Sequence, residues 1–256
     1  MPNPIWEPWE FLWDNDITPE GGAVQFNYPL MGDHLQLIST FTAFQLQEIS
    51  GNEADPFMFV AQAGVQGKTW GKLDYKAMGS YYNTDNITKT LLNNRASTAS
   101  NTLNPSLTTQ YAYHYNTYGG ALDVGMNDPF GENFPILYIP RVGIFGEYML
   151  NPDPPKKMTK NTAWMSGAYL GNSKVSGFGT WKITGVYKSI GQDAFLDTFP
   201  DSDFYSGSTD VKGYETLLEL GLAKNVSIAL DYYRTERIKT TKAQESLLQT
   251  DINFKF

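Results

Sequence analysis

Apolar and polar residues alternate along most of this chain. From Ala23 to Leu30, Val24, Phe26 and Tyr28 stand against Gln25 and Asn27, and the same two-residue period returns in stretch after stretch. Successive side chains of a β-strand point to opposite faces, so each stretch predicts a strand with one greasy and one wet side. Phe57 to Gly67 puts Phe57, Phe59, Ala61, Ala63 and Val65 together; Lys72 to Tyr82 sets Leu73, Tyr75, Ala77 and Tyr81 against Lys72, Asp74 and Lys76. Leu122, Val124 and Met126 alternate with Asp123 and Gly125. In Ile136 to Leu150, Tyr138, Val142, Ile144 and Tyr148 oppose Arg141 and Glu147, and in Thr180 to Ser189, Trp181, Ile183 and Tyr187 oppose Lys182, Thr184 and Lys188.

The carboxy-terminal part is the most regular. Tyr214, Leu218, Leu220 and Leu222 oppose Glu215 and Glu219, and after a tight turn Val226, Ile228, Leu230 and Tyr232 oppose Ser227, Asp231 and Tyr233. The last stretch places Leu248, Thr250, Ile252, Phe254 and Phe256 opposite Leu247, Gln249, Asp251, Asn253 and Lys255. Three segments are less clear. His34 to Ile49 loses its parity near Thr40 to Ala43, read as a bulge or a rise above a membrane. Ala163 to Gly171 is apolar on both faces. Trp9 to Asp14 is a short strand once Pro8 is left outside it.

The connections sort themselves by length. Counted backwards from Phe256, longer and shorter ones alternate, with the longest at 83–118 and 191–212. Bacterial outer-membrane barrels have long loops on one side, short turns and both termini on the other, and an even strand number. The expectation is therefore an all-β, transmembrane, antiparallel up-and-down β-barrel of about 12 strands, within roughly 10 to 16, occupying residues 1–256 as one domain. Its termini would be periplasmic and its two longest loops extracellular. The aromatics Trp70, Tyr148, Trp181, Tyr187, Tyr214 and Tyr232 fall near strand ends, where an apolar body and a polar tip suit a lipid–water interface.

Composition excludes several classes. With a mean hydropathy of -0.37 and no long apolar run, the chain has no transmembrane-helix candidate. A formal net charge of -8 argues against nucleic acid as a partner. Cysteine is absent and only His34 and His114 occur, so no metal site, cofactor or catalytic constellation is expected and the chain is read as a non-enzyme. Met1-Pro2-Asn3-Pro4 has neither the basic start nor the apolar run of a signal peptide.

Particular residues add a resemblance. Leu12-Trp-Asp-Asn-Asp-Ile-Thr-Pro-Glu-Gly21, Asp193-Ala-Phe followed by Asp201-Ser-Asp-Phe204, Lys212-Gly-Tyr214 and the ending Leu247 to Phe256 resemble the bacterial "putative porin" family. Relatives usually carry further sequence ahead of the Trp-Asp segment. The resemblance implies an outer-membrane barrel with diffusion-pore function and brings no catalytic residues. The ending, with Leu248, Ile252, Phe254 and Phe256, is similar to the signal by which such proteins are recognised and inserted. The implied partners are outer-membrane lipid and lipopolysaccharide, the barrel-assembly machinery, and small solutes or ions; a second copy or another envelope protein stays open.

The expected pore lining is the polar face: Lys72, Asp74, Lys76, Asp123, Arg141, Glu147, Lys182, Lys188, Glu215, Glu219, Asp231 and Asp251. Buried charges demand partners or water, so these residues either pair across the lumen or line a wet channel. Asp193, Asp197, Asp201 and Asp203 make an acidic loop expected to fold into the mouth and favour cations. Two other readings remain: a barrel with a blocked lumen serving as an anchor or protein partner, and a soluble carbohydrate-binding β-protein.

Overall fold

The computed structural model describes residues 2–49, 51, 55–95, 99–131, 138–154, 158–239 and 244–255. Eleven strands follow one another: β1 (Glu20–Pro29), β2 (Gln36–Gln45), β3 (Phe57–Thr69), β4 (Leu73–Asp85), β5 (Tyr118–Asn127), β6 (Arg141–Leu150), β7 (Thr162–Gly171), β8 (Trp181–Ile190), β9 (Val211–Ala223), β10 (Val226–Arg237) and β11 (Gln244–Phe254). Each pairs antiparallel with its neighbours in sequence, giving one up-and-down sheet in the order β1 to β11. A single helical turn, Met158–Asn161, precedes β7. No described helix is long and apolar enough to cross a membrane, which says nothing about strands.

The sheet obeys the alternation. Val24, Phe41, Ile144, Tyr148, Trp164, Ile252 and Phe254 lie exposed on the convex side, Ile144 to 62% and Phe254 to 61%. In the middle of the sheet their neighbours one residue away turn inward, so Phe145, Glu147 and Met149 of β6 are buried while Ile144 and Tyr148 are not; the edge strand β1 is exposed on both faces and β11 nearly so. The ambiguous strand β7 is settled the same way, with Ala163, Met165 and Tyr169 inside. In β2 the register runs unbroken through Thr40, Thr42 and Phe44, all inward, so the expected bulge is absent. Two threonines on the polar face, followed by an inward Phe, blurred a period the backbone keeps.

Two expectations are corrected. Trp9 to Asp14 is not a strand: it follows bends inside the sheet's concavity, where Phe11, Leu12 and Trp13 are almost fully buried. The described residues hold eleven strands, within the expected 10 to 16. β6 begins at Arg141; Ile136 and the terminal Phe256 lie outside the described residues. Because eleven is odd, β1 and β11 run in the same direction, and among the described residues they are not paired with each other.

The interior is filled from the long-loop end. Segments 86–95, 99–117 and 191–210 fold inward and meet residues 5–17. Trp13 stacks on Phe199 with ring centroids 4.5 Å apart, Tyr82 meets Phe195 edge-on at 5.2 Å, and Tyr111 meets Tyr115 at 5.7 Å. Phe44, Met58 and Met149 close this cluster from the wall. Such aromatic burial contributes roughly 1.5–3 kcal/mol per side chain, so the filling is a core in its own right.

Candidate functional site in the lumen

Lys188 of β8 sits at the middle of the enclosed space, with no exposed side-chain surface. Its Nζ pairs with Asp201 at 2.7 Å and with Glu215 of β9 at 2.6 Å. Trp9 Nε1 donates to the other Glu215 oxygen (2.9 Å), and Trp9 stacks on Phe145 at 5.7 Å. One ammonium thus ties together the wall, the amino-terminal segment and the acidic loop. Asp231, which accepts from Tyr233 (3.0 Å), lies close by. Buried charge is tolerated only when paired and hydrogen-bonded, and here each partner comes from a different element.

Above this centre the two long loops lock together. Asp197 accepts from Arg95 Nε and Nη2 (3.0 and 2.7 Å) and from the backbone amides of Ser100 and Asn101 (3.0 and 2.8 Å). Asp193 accepts from the amide and hydroxyl of Thr102 (2.7 and 2.8 Å). Asn101 Nδ2 donates to the carbonyls of Gln192 and Phe195. Burial pushes the Asp193, Asp203 and Asp210 carboxyls above the ordinary range, in Asp193 against the lowering effect of its Thr102 bonds.

Below it, at the short-turn end, the lumen is open. Asp74 of β4 accepts from both terminal nitrogens of Arg141 on β6, and Tyr169 accepts from Arg141 Nη2 (3.0 Å) and donates to Asp123 (3.0 Å). Gly143 allows this arrangement, since a Cβ there would stand 2.2 Å from the Tyr169 ring. Trp6 is clamped to β3, its amide donating to Gln62 Oε1 (3.0 Å) and its carbonyl accepting from Gln62 Nε2 (2.8 Å).

Cavities accompany the amino-terminal segment along its length. Two of about 490 Å³ lie at the short-turn end and share Pro8, Lys68, Asp74 and Asp123. The next, about 750 Å³, runs past Trp6, Pro8, Trp9 and Trp13 to Glu215 and Asp231. It shares Trp13 and Thr18 with a fourth, about 590 Å³, bounded by Phe44, Leu92, Phe199 and Ser206 towards the long loops.

The polar-face residues are thus distributed unevenly. Asp74, Asp123 and Arg141 form one network, with Lys76 and Lys182 beside it; Lys188, Glu215 and Asp231 form another with Asp201. Glu147 is buried against Glu7. Lys72 pairs with Asp128 at the rim (3.0 Å), Glu219 faces Lys182 across the β8–β9 register, and Asp251 is exposed on β11. Asp193, Asp197 and Asp201 are buried and Asp203 half-buried. Leu248, Ile252 and Phe254 are exposed along β11. Sequence reasoning missed Trp6, Trp9, Arg95 and Tyr169. A signal existed for two of them: Trp-Glu-Pro-Trp-Glu packs aromatics around a proline that no central strand accommodates.

A β-meander with an apolar outer face, a charged inner face and loops sorted by length defines a protein of the outer-membrane barrel class. The "putative porin" family profile matches residues 1–148 and 147–256, and the chain belongs to that family. No curated protein matches the chain. Among solved structures it is similar to LpxR from Salmonella typhimurium, with 13% identity, 92% of this chain and 88% of that one covered, and a TM-score of 0.34. That protein is an outer-membrane enzyme. The expectation of a non-enzyme is corrected accordingly and forms no part of the reading below; at that similarity no activity is carried over.

Proposed function

We propose that this protein is an outer-membrane porin through which ions and small hydrophilic solutes diffuse along the amino-terminal segment instead of down an empty central bore. The observation that carries this reading is the series of cavities sharing Trp6, Pro8, Trp9, Trp13 and Thr18, which follows that segment from the periplasmic vestibule towards the extracellular loops. Charged side chains border it in both signs, as a wet passage requires. The convex apolar face supports lipid contact, and β11 supports recognition by the assembly machinery.

Purified protein reconstituted in planar bilayers tests the proposal. Discrete conductance steps, small for a barrel of this size and enlarged by Trp13→Ala, are expected. The aromatic packing of Trp13 on Phe199 favours a second reading, a sealed barrel acting as an anchor. A silent bilayer with correctly inserted protein would favour that reading.

A further inference from the structure

We propose that the periplasmic vestibule is a binding site for a small hydroxylated organic anion, a sugar acid by its chemistry. The inference rests on the pore reading only for how such a solute would move on; the site itself is defined by its side chains.

Two half-buried lysines carry it. Lys76 Nζ lies 4.6 Å from the centre of the Trp6 ring, and Lys182 Nζ lies 5.8 Å from Trp9 and 5.2 Å from Tyr169. Among the described residues neither makes a salt bridge or a hydrogen bond, although Asp123 stands opposite Lys76 on β5 and Glu219 opposite Lys182 on β9; the contact each ammonium makes is with an aromatic face. Of the nearby carboxylates, Asp74 is bound by Arg141 and Asp123 by the Tyr169 hydroxyl, while Glu219 faces Lys182 across the ladder without forming an ion pair with it. The site therefore keeps two ammonium groups outside any ion pair, beside the Asp74–Arg141–Tyr169–Asp123 network. A carboxylate entering there meets cations that cation–π contact alone stabilises only partly.

The rest of the wall suits a ring bearing hydroxyls. Gln36, Gln66, Asn127 and Ser173 border the two vestibule cavities as donors and acceptors, and Pro8 with the two indoles gives flat apolar surface between them. Each cavity holds about 490 Å³, ample for a single hexose-sized solute. Gln62 holds the Trp6 backbone and Glu215 holds the Trp9 indole, so both residues are anchored before a ligand arrives.

The test is calorimetric titration of the folded full chain in detergent with glucuronate and, separately, with glucose. Glucuronate should bind and glucose should bind about tenfold or more weaker, because it lacks the charge. Lys76→Gln with Lys182→Gln should lower glucuronate affinity about tenfold or more while the far-ultraviolet spectrum and lipid insertion stay unchanged. Equal binding of the two sugars, no binding of glucuronate, or an unaltered affinity in the double variant would overturn the site. Titration and conductance are independent, so a pore that conducts without binding glucuronate removes this site alone, and binding without conductance removes only the pore reading.

Discussion

Replacing Lys188 by Met should unlock the interior without dissolving the wall. Lys188 is fully buried and pairs with Asp201 and Glu215 at 2.7 and 2.6 Å. Met fills a similar volume but leaves two buried carboxylates without their cation, with Asp231 nearby. Removing one partner of a buried ion pair destabilises by about 3–5 kcal/mol, which corresponds to roughly 10²- to 10⁴-fold in a local opening equilibrium. The loss falls on the docking of 191–210 and of residues 5–17, since the strand ladders do not pass through Lys188 Nζ. Amide hydrogen exchange in detergent reads it directly: protection at Phe195 to Phe204 and at Phe11 to Asp14 should fall, while β5 to β7 keep theirs. The triple variant Lys188→Met, Asp201→Asn, Glu215→Gln should recover much of the protection, because the stranded charges are gone. Unchanged exchange in Lys188→Met would refute the idea that this cluster seats the filling.

Asp197→Asn should detach the two long loops from each other, raising exchange at Ser100 and Asn101 by about 10²-fold, because a carboxylate shared among Arg95 and two amides loses its charge. Ile144→Lys, in the middle of exposed β6, should cost about 2–4 kcal/mol in refolding into lipid vesicles and little in micelles of a charged detergent. Gly143→Ala should push the Tyr169 ring aside and break its bridge from Arg141 to Asp123, seen as loss of the Tyr169 hydroxyl contacts in a structure of the variant. The loop carboxyls of Asp193, Asp203 and Asp210 all have raised values, so the docked loop holds protons that the released loop sheds. Docking should be firmest near the ordinary carboxylate value and weaken as pH rises through the raised ones; hydrogen exchange of 191–210, corrected for intrinsic rates and compared at pH 4 and pH 7, checks the sign.

Much of the wall was legible because the period-two pattern is imposed residue by residue. The Leu73, Tyr75, Ala77 series fixes the face of β4, and Val226, Ile228, Leu230 fixes that of β10, whatever the rest of the chain does. What could not be read was everything decided at long range. Trp9 to Asp14 has the aromatic density of a strand, yet its place inside follows from Phe145, Glu215 and Phe199, which lie more than a hundred residues away. Asp201 in a loop and Lys188 in a strand are unremarkable apart; only the fold makes them partners. The expected polar lining likewise split in two, because one half of the lumen is filled by loops whose inward course no local pattern announces.

The claim on which the account stands is a wall with lipid outside and a filled, partly polar interior, and the chain's lack of cysteine makes its most direct test clean. Single cysteines placed in turn from Val142 to Met149 of β6, nitroxide-labelled and reconstituted in vesicles, should show oxygen accessibility with a period of two, high at 142, 144 and 148. Labels at 145, 147 and 149 should be shielded from both oxygen and a water-soluble relaxant. Lipid accessibility at 145 and 147, or water accessibility at 144, would contradict it.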